Sequence, residues 1–353
     1  MKLARLAAGL ALLALAGMAL LPGCAGPGYY VQAASGHLAL MRSREDIDDY
    51  LAEAAPDDPL AGRLRLAQDI TAWAGDAAGL PDEGSYQTFA RTNREAVVWN
   101  VVAAPEFSLE PKTWCFVVAG CVPYRGYFKQ EKAERLADKL RGKGYDVSVS
   151  RASAYSTLGW FEDPLLDTVL NQPDAWLAAT LLHELAHQRL YVESDTRFSE
   201  SYATFVEQAA VSRWLESEGR DDELAHWRRV REANDWFSAR LRQARSELAE
   251  LYAGDLEPDA MRIAKQAALT AMNTDWVAWR ASRDGMPDVY GGWLSGEMNN
   301  ADLALVSAYQ GGACAFQHLF EESGQNFEVF HDLAMRQSKL EPAARSAWLD
   351  QPC

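Results

Sequence analysis

The sequence predicts an α+β chain, mainly helical, with a small mixed sheet. Two observations lead there. Strand periodicity is confined to a few short runs in the middle of the chain, and from Asp174 onward apolar residues recur at helical spacing. The chain has 353 residues, and its 12 Trp and 13 Tyr mark a well-packed globular protein rather than a disordered one.

The elements follow in order. Lys2 and Arg5 form a positive leader, and Leu6 to Leu21 is an uncharged apolar run that ends in Leu21-Pro22-Gly23-Cys24. The run is short for a membrane span, which takes about 20 apolar residues. Small residues at its end mark a cleaved signal. With Cys after the cut, the segment resembles the lipobox of bacterial lipoproteins. That resemblance implies removal of residues 1–23 and acylation of Cys24, whose several acyl chains would anchor the protein stably in a membrane. Ala25 and Gly26, with no Asp after Cys24, resemble the outer-membrane sorting pattern and imply a lipid-anchored site facing the periplasm.

Residues 24–36 then read as the lipidated Cys and a tether, with Gly26, Pro27 and Gly28 as breakers. Residues 37–353 read as one domain, with no internal repeat, no low-complexity tract and no second composition regime. Ser43 and Asp46 signal a helix start, and helical patterns cover about 43–54 and 58–78, broken by Pro56, Asp57 and Asp58. Pro81, Gly84 and Ser85 form a loop. Ala96 to Ala103, Thr113 to Ala119 and Tyr145 to Arg151 read as strands, the last alternating Tyr145, Val147 and Val149 with polar residues. Lys129 to Arg141 is a charged amphipathic helix closed by Gly142 and Gly144. These make a small α/β unit over about 95–170, with Ala154 to Gly159 as a possible edge strand. The helical part over about 174–353 holds patterns from Asp174 to Leu190 and from Glu200 to Leu215. Further helical patterns cover about 222–253, 257–283, 300–323 and 326–348, with a Gly-rich loop at 285–296.

The net charge of −16 argues against a nucleic-acid partner and against a basic patch for anionic lipid. Beyond Cys24 four cysteines remain: Cys115, Cys121, Cys314 and Cys353. An even number in an exported chain points to disulfides. Three pairings are possible: Cys115–Cys121 with Cys314–Cys353, or two that link distant segments. No C-x-x-C pair suggests a cysteine metal site.

The residues that carry chemistry lie in Thr180-Leu181-Leu182-His183-Glu184-Leu185-Ala186-His187-Gln188. Residues i and i+4 share a helix face, so His183 and His187 can hold one metal ion. Glu184, just round the helix, can hold a water on that ion and take its proton. This is the H-E-x-x-H logic of zinc peptidases. Zinc brings the water's pKa towards about 7. A catalytic zinc has three protein ligands and one open position. No His follows within short range, the next being His226, so a carboxylate is expected as the third ligand. Glu193, Asp195, Glu200 and Glu207 are available. Glu200 is preferred because it opens a helix, Ser199-Glu200-Ser201-Tyr202-Ala203, that can fold back across the first. Glu193 is the alternative, and Glu207 is placed behind the ligands. One zinc ion is expected.

Further stretches carry a resemblance: Tyr29-Tyr30-Val31-Gln32-Ala33 with Gly36, Trp114-Cys115, and Cys121-Val122-Pro123-Tyr124-Arg125-Gly126-Tyr127-Phe128. Others are Tyr155 to Phe161, Asp163-Pro164, His183 to Gln188, Glu200 to Ala203, and Asn299-Asn300-Ala301 with Leu303 and Tyr309. Together these make the mature chain similar to the zinc aminopeptidase family of bacterial lipoproteins. Ser199 stands where that family often carries Asn. The resemblance implies peptidase activity on a peptide substrate and a zincin-like, mainly helical fold whose H-E-x-x-H helix carries the active site. For the oxyanion, Tyr309 is the preferred donor, ahead of Tyr202, Arg125 and Asn300. Tyr155 to Phe161 is a candidate strand for pairing with substrate backbone. Two other readings compete: a metal-binding envelope lipoprotein without catalysis, and a zinc hydrolase of cell-wall amides.

Overall fold

The structure is a computed structural model that describes residues 26–81, 86–116, 120–152, 163–193, 195–307 and 312–351. Cys24, the possible edge strand at 154–159, Tyr155 to Phe161, Tyr309 and Cys353 lie outside the described residues.

The first half of the chain mixes short helices and strands: α1 (Pro27–Arg42), β1 (Arg44–Asp46), α2 (Ile47–Glu53), α3 (Pro59–Ala78), β2 (Thr88–Ala90) and β3 (Val98–Pro105). Then come β4 (Trp114–Phe116), β5 (Gly120–Val122), β6 (Tyr124–Tyr127), α4 (Gln130–Arg141), β7 (Tyr145–Ala152) and β8 (Leu165–Leu166). The second half is helical: α5 (Asp167–Leu170), α6 (Asp174–Arg189), α7 (Thr196–Ser217), α8 (Asp221–Ala253) and α9 (Pro258–Ala281). It ends with α10 (Gly291–Leu294), α11 (Asn300–Ser307), α12 (Ala313–Glu322), α13 (Phe327–Ser338) and α14 (Pro342–Leu349).

Several boundaries differ from the sequence reading, each for a local reason. Residues 27–36, expected as tether, are helical. Pro27 stands in the first turn, where its fixed φ favours a helix and its missing N–H costs nothing. The helix expected from Ser43 begins at Ile47, because the Asp46 side chain accepts from Asp49 N and caps it there. The pattern at 326–348 splits in two, with Pro342 opening α14.

Among the described residues the expected small sheet is three separate ones. β2 pairs antiparallel with β1 and parallel with β8. β3 lies between β6 and β7, antiparallel to both. β4 and β5 form a hairpin in which Cys115 faces Cys121 and is disulfide-bonded to it. Strand β6 lacks apolar alternation. It is held by pairing with β3 and by Gln32 of α1, whose amide donates to Gly126 O and accepts from Phe128 N.

Most of the apolar core lies around α6 and α7, which pack along each other against α3, α12 and α13. Leu177, Leu181, Leu182 and Leu185 of α6 meet Phe198, Tyr202, Phe205 and Val206 of α7, all at most 2 % exposed. A second core joins α8 and α9 around Phe237, Trp276 and Leu269. A third seals α4 onto the β3–β7 sheet. A buried polar network ties these parts together. Lys265 of α9 pairs with Asp146 of β7, and Asn300 at the start of α11 donates to Pro105 O and Glu106 O. Among the described residues, no helix is long and apolar enough to cross a membrane.

Candidate metal centre

Helix α6 brings His183 and His187 one turn apart on one face, with ring centroids 4.8 Å apart. The chain turns at Leu190 and returns as α7. That return is fixed by side chains: Asp195 accepts from Phe198 N, Ser199 Oγ accepts from Val192 N, and Arg345 pairs with Asp195. Capping at Asp195 starts α7 at Thr196, a turn earlier than the sequence reading has it. Glu200 therefore sits inside the helix instead of at its N-terminus, where a favourable helix dipole would have been reason enough for an acidic residue.

Glu200 Oε2 lies 3.4 Å from His183 Nε2 and 3.6 Å from His187 Nε2. One ligand atom from each of the three residues lies within 4.8 Å of the others, and no other such cluster occurs among the described residues. The donor set fits a zinc ion. Ligand bonds of about 2.0–2.1 Å in tetrahedral geometry place ligand atoms about 3.3–3.4 Å apart. Glu200 Oε2 is buried and makes no hydrogen bond of good geometry, a costly condition that a cation would relieve. Glu207, two turns along α7 from Glu200, stands 3.0 Å from His183 Nδ1. A carboxylate there places the ring proton on Nδ1 and leaves Nε2 turned to Glu200.

The electrostatics agree. Burial alone would raise the Glu200 carboxyl, but the two imidazoles hold it down at about 2. Burial alone would lower His183, but Glu200 and Glu207 push it up to about 10. The cluster is built around positive charge.

These elements lie inside a larger correspondence. A family model described as "Putative aminopeptidase" matches residues 28–349. The chain belongs to that family. No curated protein and no solved structure matches it. In this chain the match runs from α1 to the end of α14, so it takes in the whole His183–His187–Glu200 cluster and both helices that build it.

Around the cluster the structure sorts the other residues singled out in the sequence. Glu184 follows His183 on α6 and lines a pocket with Tyr86, Thr180 and Leu165. Glu193 is exposed in the turn after α6 and is not part of the cluster. Tyr202 is fully buried, and its hydroxyl is 2.7 Å from His331 Nδ1. His331 Nε2 in turn donates to Ala78 O, so the Tyr202 hydroxyl is the donor to Nδ1. Arg125 stacks over the Tyr29 ring at 4.4 Å. The Asn300 side chain is taken up by two backbone carbonyls and by the Tyr252 hydroxyl. Tyr309, the preferred oxyanion donor, falls outside the described residues. Cys314 is disulfide-bonded as well.

Three tyrosines near the site were missed in the sequence. Tyr86 is 7 % exposed and has φ of +67°, a conformation costly for a bulky residue, and its N–H donates to Asp163 O at 2.8 Å. Burial and then the Glu184 and Asp163 carboxylates drive its phenol well above its ordinary value, so it keeps its proton. Tyr124 and Tyr191 both stand near enough to Glu200 to feel its charge. Tyr86 lies in a loop recognisable only by its turn residues. A signal for the other two was present: Tyr124 falls within a family stretch, and Tyr191 stands four residues after His187.

Proposed function

We propose that this protein is a zinc-dependent aminopeptidase of the bacterial cell envelope with a zincin-like active site, anchored through acylated Cys24. One observation carries the catalytic reading: two imidazoles and a buried carboxylate converge on one point, and a further carboxylate, Glu184, adjoins them on the same helix. Bound by His183, His187 and Glu200, zinc would supply Lewis-acid polarisation of the scissile carbonyl and ready ionisation of a water.

The chain's own residues do the rest. Glu207 holds the His183 ring in the tautomer that presents Nε2. Glu184 takes one proton from the attacking water as its oxygen bonds to the carbonyl carbon. It returns that proton to the amine nitrogen as the C–N bond breaks, leaving a carboxylic acid and a free amine.

Two substitutions separate binding from catalysis. Glu184→Gln keeps size but loses the base, so zinc content should stay near one per chain while turnover falls by at least about a hundredfold. Glu200→Gln replaces a ligand with a poor one, so zinc affinity should fall together with activity. Wild-type hydrolysis by Glu184→Gln would overturn the mechanism. Zinc bound normally with no amide hydrolysed by the wild-type protein would favour a binding lipoprotein. Loss of zinc from Glu193→Gln in place of Glu200→Gln would move the third ligand.

A further inference from the structure

Helix α1 is held on one side and bare on the other. On the held side the Tyr29 ring packs 5.0 Å from Phe116 and 5.7 Å from Tyr127, and Arg125 stacks over it. One turn on, Gln32 is bonded to Gly126 and Phe128. Gly36 faces the Phe128 ring so closely that a side chain there would run into it, and Leu40 is buried with Ala90, Val97 and Leu166. Positions 29, 32, 36 and 40 recur at helical spacing, and none of them belongs to the metal cluster. They clamp α1 onto β6 and its neighbours as a fixed part of the fold.

The opposite side faces water. Val31 is 69 % exposed and Leu38 is 49 % exposed, and at seven residues apart they share one face over two turns. Ala34 and Ser35 lie between them on that face, Ala39 lies beside Leu38, and all three are exposed. No charge interrupts the face before Arg42. Asp and Glu make up 50 of the 353 residues, yet none precedes Glu45. Leu256, Ile263 and Val329 are exposed too, but each adjoins a charged residue: Asp255 and Glu257, Arg262, and Glu328.

What covers this face follows from where the chain enters α1. Only Ala25 and Gly26 separate Cys24 from Pro27, the first residue of the helix. Three residue steps span at most about 11 Å. Acyl chains on Cys24 would therefore hold the start of α1 at the headgroup level of a bilayer, and the helix runs about 24 Å from there. A face that is apolar, free of carboxylates and closed by Arg42 suits an anionic lipid surface. Its aliphatic side chains leave water there, and no carboxylate meets lipid phosphate.

We propose that α1 lies along the membrane surface with Val31 and Leu38 in the lipid interface. This rests on the lipid-anchor reading and adds to it a fixed orientation. Because α1 is clamped to β6, the contact sets which side of the protein meets the bilayer.

The test uses the full-length acylated protein in vesicles of phosphatidylethanolamine and phosphatidylglycerol. A nitroxide label is placed at Val31→Cys or Leu38→Cys and, as a control on α9, at Ile263→Cys, a position 74 % exposed. Cys115, Cys121 and Cys314 are disulfide-bonded and take no label. Power-saturation EPR compares access of oxygen, which concentrates in lipid, with access of a water-soluble nickel complex. The oxygen-to-nickel ratio at positions 31 and 38 should exceed that at 263 by at least about fivefold. With the label at Ala34→Cys, adding Val31→Glu and Leu38→Glu should bring the ratio down to the control value. A ratio at 31 and 38 no higher than at 263, or one at 34 unmoved by the double substitution, would overturn the proposal. Mass spectrometry of the same protein reports separately on the anchor. Acyl chains on Cys24 with water-exposed labels would refute the α1 contact alone, whereas an unacylated Cys24 would refute the anchor reading and this inference with it.

Discussion

Asp174 anchors the helix that carries both imidazoles, and its removal should weaken the fold in a pH-dependent way. It stands in the first turn of α6 and pairs with Arg63 of α3 and with Arg220 just before α8. All three side chains are roughly a quarter to a third exposed, so each pair is worth more than a surface ion pair and less than a buried one. Arg63 keeps its bonds to Leu170 O and Gln172 O, and Arg220 keeps Glu223, so neither guanidinium is orphaned when Asp174 is neutralised. Two such contacts at about 1 kcal/mol each, with some loss of helix-dipole stabilisation, put Asp174→Asn at about 2 kcal/mol. The sign follows from linkage. Burial would raise the Asp174 carboxyl, but Arg63 and Arg220 pull it below its ordinary value. A carboxylate with a depressed folded pKa contributes stability above its unfolded pKa of about 3.9, and that contribution disappears as pH falls through the folded value. Urea unfolding should therefore show the full deficit at pH 7 and convergence of the two proteins towards about pH 2 to 3. Equal stability at pH 7, or a deficit unchanged at pH 2, would refute the reasoning.

Three further outcomes are expected. Burial lowers the pKa of His331, so its neutral form belongs to the folded state; its contribution is whole above its unfolded pKa of about 6.5 and fades as pH falls below that value. Replacing it in His331→Gln should flatten the fall in stability between pH 7 and pH 5, and an unchanged slope would count against the buried Tyr202–His331 pair as its source. Opening the Cys115–Cys121 loop, six residues in separation, with a Cys115→Ser, Cys121→Ser double variant should cost about 2 kcal/mol by loop entropy, and equal urea midpoints would contradict this. Cys24→Ser should leave the protein without lipid and release it from membranes, whereas membrane retention with an uncut signal would point to a plain anchor.

The convergence of His183, His187 and Glu200 was largely legible because most of its information is local. Two His four residues apart need only a helix to share a face, and the apolar residues around them predict that helix. Glu200 needed one more step, the reversal at residues 190–195, whose length the sequence conveys even though its cap, Asp195, does not stand out. What stayed hidden depends on distant parts of the chain. Tyr86, Tyr124 and Tyr191 come to the site from a loop, an edge strand and a turn, and no spacing joins them. Strand β6 escaped because Tyr124-Arg125-Gly126-Tyr127 has no apolar alternation and is set by its neighbour β3. The first helix was read as tether because Gly26, Pro27 and Gly28 are breakers inside an element but tolerable at its start.

The spacing of Glu200 and Glu207 explains why two helices suffice to bring the His183, His187 and Glu200 side chains together. Seven residues are about 10.5 Å along α7, and both carboxylates fall on one face. The His183 ring lies between them, with Nε2 towards one and Nδ1 towards the other. Two carboxylates of side-chain exposure 16 % and 20 % beside neutral imidazoles would leave half-buried negative charge, which near Glu207 is only partly met by Arg231. The charge can be balanced by a proton on His183, whose pKa Glu200 and Glu207 push up to about 10 against the lowering effect of burial, or by a cation among the three donors. A divalent ion would answer that demand better than a proton, because it would also take up Glu200 Oε2, which is buried and has no hydrogen-bond partner. Two half-buried carboxylates stationed around one histidine are therefore hard to account for as packing, and they give the α6–α7 pair its reason to be held as rigidly as Asp174, Asp195 and Ser199 hold it.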